Sequence, residues 1–150
     1  MTLNNKTGSK IVEEFIEVFQ DALDKYDFQI PFIHPDSFFV GDIHKDAPCF
    51  NFPGNIVIRS DVIESIGFTK EQLWAMFAHE VGHIVFKTIE MEPGIEKEYK
   101  ADDMAIELGL GWQMVSALET LSEQDNQQDM KCDMCKRIDR IKSILSPEEN

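Results

Sequence analysis

The chain has 150 residues, a length that favours one domain able to bury about two-thirds of its unfolded surface. Lysine and arginine number 14 and aspartate and glutamate 28, so the formal net charge is −14; that argues against binding nucleic acid or an anionic membrane surface. A hydrophobic fraction of 43 % with eleven Phe is enough to build a core, so the acidity does not imply disorder.

The first ten residues are polar and lack the apolar core of a signal peptide. Ile11, Phe15, Val18, Phe19 and Leu23 recur at helical spacing. They predict an amphipathic helix over 11–26, with Ser9 as its cap. Residues 28–40 read as short and strand-like, broken by Pro31 and Pro35. Cys49-Phe50-Asn51-Phe52 and Ile56-Val57-Ile58 flank Pro53-Gly54. Pro-Gly suits the centre of a type II turn, so two short strands joined by a turn are expected. One or two helical turns over 61–66 should stop at Gly67.

Thr69 and Gln72 have the spacing of a capping box. The helix they start should run to about Ile89, before Pro93-Gly94 breaks it. Helices over 95–108 and 112–122 follow, then a polar loop over 123–128. The last helix, over 129–145, carries Met130, Met134, Ile138, Ile141 and Leu145 on one face. No apolar run approaches the ~20 residues of a membrane span. Cys49, Cys132 and Cys135 are too few, and odd in number, for a disulfide framework. With seven Met they point to a reducing, cytoplasmic setting. Cys132-Asp133-Met134-Cys135 lacks the second cysteine pair of a structural zinc site and reads as incidental on a helix.

The most informative stretch is the run from Leu73 to Phe86. His79, Glu80 and His83 are its only strongly polar residues, and the rest is apolar or small all round. Such a helix should be buried. Burying two imidazoles and a carboxylate without partners costs several kcal/mol. A divalent metal offsets that cost. His79 and His83 are four apart and share a helical face, so both rings can reach one ion. Glu80 lies about 100° round the helix, beside the ion, where a carboxylate takes a proton from metal-activated water. A tetrahedral catalytic zinc needs a third protein ligand. Glu98 and Asp102 share a face of the next helix, beside the small Ala101 and Ala105. They read either as part of the acidic surface or as site residues. In the second reading Glu98 completes a two-His, one-Glu set, and Asp102 accepts a hydrogen bond from a liganding His. Arg137 could pair with Asp102, hold a developing oxyanion, or form an ordinary surface salt bridge. Tyr99, His34 and His44 are further candidates for the oxyanion.

The chain resembles the gluzincin metallopeptidases of the HtpX and CAAX-prenyl-endopeptidase group. The resemblance runs through Pro53-Gly54-Asn55-Ile56-Val57-Ile58-Arg59-Ser60, Thr69-Lys70-Glu71-Gln72-Leu73 and Ala78-His79-Glu80-Val81-Gly82-His83 to Glu98-x-x-Ala101-Asp102 and Arg137-Ile138. It covers roughly residues 49–141 and preserves order and spacing. The His-Pro that often precedes the family's Arg-Ile is absent, with Asp129-Met130 in that region. The resemblance implies Glu98 as third zinc ligand and Asp102 as its supporting acid. It also implies a strand, Cys49 to Asn51 or Asn55 to Ile58, that pairs with extended substrate.

The expectation is a single α+β domain over 1–150, zincin-like and mainly helical, with a small antiparallel or mixed sheet beside the active-site helix. It would be a zinc metallopeptidase holding one Zn²⁺ on His79, His83 and Glu98, with Glu80 as general base and a peptide or protein as substrate. Arg137 and Tyr99 are the further candidates for transition-state or substrate contacts. Two alternatives are a regulatory protease of the ImmA/IrrE type acting on one protein partner, and a catalytically silent zinc-binding interaction module.

Overall fold

The computed structural model describes residues 1–35, 48–52, 54–124 and 128–146, with residues 124 and 128–132 described by their backbone alone. The first helix, α1 (Lys10–Leu23), starts where expected: the Ser9 side chain accepts from the Val12 amide at 3.4 Å. It ends at Leu23, three residues short of the expected end. Before it lies a strand that the polar N-terminus did not announce, β1 (Thr2–Asn5), in which only Leu3 is buried. It pairs in parallel with β2 (Gln29–Ile33).

The expected hairpin is present as β3 (Cys49–Asn51) and β4 (Ile56–Ile58), antiparallel, with Phe50 opposite Val57. Gly54, φ 81°, takes the left-handed conformation that the third position of a type II turn requires. The sheet is mixed, in the order β1-β2-β4-β3. Pro31 sits inside β2, which is not an edge strand. The register sets β4 against Phe32 and Ile33 only, so Pro31 lies just before the stretch that β4 pairs and its missing N–H breaks no bond there.

The two ends of the sheet differ. On β1 the amides of Thr2 and Lys6 donate towards β2, to the Phe28 and Phe32 carbonyls. By the alternation of a parallel strand, Leu3 points its amide outward. The Gln20 side chain of α1 meets it there at 3.4 Å and donates to the Met1 carbonyl at 2.5 Å. One side-chain amide thus stands in for a neighbouring strand. At the other end, no described strand pairs with the outer edge of β3.

The helix α2 (Ser60–Ile66) ends on Gly67 at φ 80°, as expected. The next, α3 (Lys70–Val85), opens on the full capping box: the Thr69 hydroxyl accepts from the Gln72 amide at 3.1 Å, and the Gln72 side chain accepts from the Thr69 amide at 2.9 Å. Its burial follows its composition, with apolar side chains covered on all sides but one. Phe77 meets Phe15 of α1 and Phe32 of β2, each with ring centres 5.6 Å apart and edge to face, which fixes α3 against helix and sheet.

The expectation that α3 runs to Ile89 is corrected. The helix stops at Val85, Lys87 turns left-handed at φ 52°, and Thr88–Glu90 form one 3-10 turn. Across α3 lie α4 (Ile95–Glu107) and α5 (Gly111–Gln124), and α6 (Gln128–Leu145) packs on both. On α6, Met134 and Ile141 are buried, as their stripe predicted. The chain is thus α+β, with the sheet and helices sharing one core. Among the described residues no helix is long and apolar enough to cross a membrane.

Candidate metal centre

Close approach of α3 and α4 builds the centre. A Cβ on Gly82 would lie 2.6 Å from the Ala101 carbonyl oxygen and 2.9 Å from the Met104 Cβ, so only glycine fits. Ala101 and Ala105 are fully buried on the facing side, as their small size suggested. This contact places Glu98, one turn into α4, over the His79–His83 face of α3.

Three atoms converge. The His79 and His83 Nε2 atoms are 3.0 Å apart, and Glu98 Oε1 lies 3.1 Å from the first and 3.3 Å from the second. Ligands at 2.0–2.1 Å around a tetrahedral zinc stand about 3.3 Å from one another. The triangle is therefore already near the size a small divalent ion needs. Among the described residues, His79, His83 and Glu98 are the group that could hold a metal ion.

The other side of each ring is held as well. His79 Nδ1 is 2.8 Å from Asp102 Oδ1, and Asp102 is completely buried. Arg137 Nε donates to Asp102 Oδ2 at 2.9 Å and its Nη2 to Oδ1 at 2.8 Å, a bidentate pair. His83 Nδ1 is 2.6 Å from the hydroxyl of buried Thr88. A buried carboxylate beside Arg137 accepts only, so the His79 Nδ1 donates to it, which leaves Nε2 as the nitrogen that would present a lone pair to a bound metal.

The charges support one another. Burial and the Arg137 charge pull the His79 pKa down, but the hydrogen bonds to Asp102 and Glu98, with the Asp102 charge, outweigh them and raise it to about 9. Burial disfavours the Asp102 carboxylate, but the Arg137 charge and hydrogen bonds hold it below its ordinary range. Burial likewise opposes ionisation of Glu98, and the two imidazoles overcome it. Without a metal, the three acceptors are reconciled by a proton on His79. Cys49 of β3 is buried, and burial with the Glu80 charge holds its thiol well above its ordinary pKa, neutral and a poor ligand.

Glu80 follows His79 directly on α3. The Asn51 side chain, at the end of β3, donates to Glu80 Oε1 at 2.9 Å. Asn51 and Thr88 were not among the residues singled out from the sequence. Asn51 carried a faint signal, as the polar residue between two phenylalanines; Thr88 carried none, because a helix drawn through it points it away.

The remaining candidates separate. Arg137 pairs with Asp102, and its Nη2 also lies 3.3 Å from His79 Nδ1. The Tyr99 ring lies under the Arg140 guanidinium, 5.0 Å from its centre, and the Tyr99 carbonyl accepts from Arg140 at 2.9 Å. That pairing gives Tyr99 a structural partner on α6 rather than a place in the triangle. His34 Nε2 hydrogen-bonds the Thr7 carbonyl at 2.8 Å, just past the ends of β2 and β1. His44 and the side chain of Cys132 lie outside the described residues, and Cys135 is a free, exposed thiol. No protein-family model, curated protein or solved structure matches the chain, so a family reading rests on the order and spacing of its motifs.

Proposed function

We propose that the chain is a zinc-dependent metalloendopeptidase, with His79, His83 and Glu98 as the metal ligands and Glu80 as the general base. One observation carries the reading: three acceptor atoms, two of them imidazole nitrogens, face one another at 3.0–3.3 Å. Such a group is stabilised by a shared cation: a metal ion, or in its absence the proton on His79. Among the described residues the donor set has three protein ligands, the number that a catalytic zinc takes. The Glu98 side chain is 36 % exposed and that of Asp102 0 %, so the centre is open on one side and sealed on the other. A purely structural zinc takes four protein ligands; among the described residues three converge, which supports the enzyme over the silent module.

A bound zinc ion supplies Lewis acidity, polarising a carbonyl and acidifying water. The rest falls to the chain. Glu80, held by Asn51, takes the proton of the attacking water and delivers it to the leaving amine. Asp102 and Arg137 keep His79 in the tautomer that ligates. The β3 edge, whose last residue touches Glu80, carries no further strand among the described residues and suits pairing with an extended peptide. Of the two strands open as substrate partners, β3 is favoured, because β4 lies between β2 and β3. The resemblance of residues 49–141 to the HtpX group agrees with these assignments.

The test is metal content and peptide hydrolysis on the same preparations. Glu80→Gln should keep stoichiometric zinc and lose about 10²–10⁴ in turnover, while His83→Ala should lose the metal. Wild-type turnover by Glu80→Gln would refute the mechanism, and full zinc in His83→Ala the ligand set.

A further inference from the structure

The hydroxyl of Thr88 is bonded to a ring that the metal reading needs in one orientation. Thr88 is buried, 2 % exposed, and its Oγ1 is 2.6 Å from His83 Nδ1. It reaches there only because α3 ends early. In a helix continued to Ile89, residue 88 would sit about 140° round from His83 and about 7.5 Å along the axis. Instead the helix stops at Val85, and Lys87 adopts φ 52°, a conformation that costs a residue with a Cβ. The turn folds Thr88 back under the ring. Its hydroxyl also faces the His83 carbonyl, at 3.5 Å.

A neutral imidazole has one N–H and one lone pair. Ligation through Nε2 leaves the hydrogen on Nδ1, and Thr88 Oγ1 is the acceptor waiting for it. The two histidines are thus held by different chemistry. His79 rests on a buried carboxylate with its own arginine, and His83 on a neutral hydroxyl. The hydroxyl orients the ring without adding a second buried negative charge beside Glu98.

We propose that Thr88 is the positioning residue of His83: it fixes the ring's rotation and its Nδ1–H tautomer, and so sets the metal affinity of the centre. This rests on the metalloenzyme reading above and extends it to a residue outside both helices. It also gives the left-handed Lys87 a purpose, since that turn delivers the hydroxyl.

The test compares wild type, Thr88→Val and Thr88→Ser in zinc affinity, measured by competition with a chromophoric chelator. Valine keeps the shape and removes the hydroxyl; serine keeps the hydroxyl. Thr88→Val should bind zinc about 10–100-fold more weakly, and Thr88→Ser should stay close to wild type. Equal affinity in wild type and Thr88→Val, or equal loss in both variants, would overturn the proposal while leaving the metal site standing. A wild type that binds no zinc would overturn the metal reading and this one with it. Should Thr88→Val fail to fold, the imidazole nitrogens of the zinc-loaded wild type decide by ¹⁵N NMR. A protonated Nδ1 on His83 is expected, and ligation through Nδ1 would refute the proposal.

Discussion

His79 is the residue on which the centre's pH behaviour turns. Its pKa in the folded, metal-free protein is raised to about 9, against about 6.5 in an unfolded chain. The folded state therefore holds the proton more tightly. The resulting stability is fully present below pH 6.5 and is lost as pH rises through 9. Glu98 and Asp102 shift the other way, and their contributions fade only when pH falls below the ordinary carboxylate range. Zinc must displace the proton on His79, so its binding should release a proton and tighten over the same interval. Thermal melts of chelator-treated protein from pH 6 to 9.5 should show a falling Tm, and zinc titrations in buffers of different ionisation enthalpy should show proton release. A flat Tm together with no proton release would contradict this account. The candidate ligands His79 and His83 were legible because a buried helix has few reasons to carry two histidines and Glu80 together. Asp102 was legible from its spacing, but its pairing with Arg137 was one of several choices open to an arginine. Thr88 and Asn51 were not legible, since Thr88 meets His83 through a turn and Asn51 meets Glu80 from a strand end, neither of which local propensity encodes.

Among the elements, those with terminal chemistry were read best. Thr69 with Gln72, Ser9 and Gly67 mark ends by hydrogen bonds or φ that few other residues supply. The C-terminus of α3 has no such mark. Val85, Phe86 and Ile89 continue a helical apolar pattern, and tertiary bonding of Thr88 overrides it. In β1 a single buried side chain, Leu3, gives no alternation to detect. The pairing of α3 with α4 makes a sharper prediction. With Ala101 oxygen 2.6 Å from the Cβ that alanine would add, Gly82→Ala must push the helices apart. Overpacking of this kind costs about 1–3 kcal/mol, and here it also lifts Glu98 from the two histidines. A lower Tm and weakened zinc binding should appear together. Unchanged zinc affinity would mean that α4 can shift without carrying Glu98 away.

At the scale of the whole molecule the acidity is evenly laid. Residues 1–75 carry 6 basic and 12 acidic side chains, a net of −6, and residues 76–150 carry 8 and 16, a net of −8. Such a coat repels like charge around an open centre. Peptides flanked by lysine should therefore be cleaved with a higher kcat/KM than those flanked by glutamate, and added salt should narrow the gap. Equal rates at low ionic strength would rule out steering by the coat. The unequal ends of the sheet have a different consequence. Strand-to-strand growth needs two exposed borders per molecule, and the Gln20 amide occupies one of them. Two copies could still meet β3 to β3 about a twofold axis. Among the described strands that contact would consume the remaining border of each, so association through them terminates at a pair.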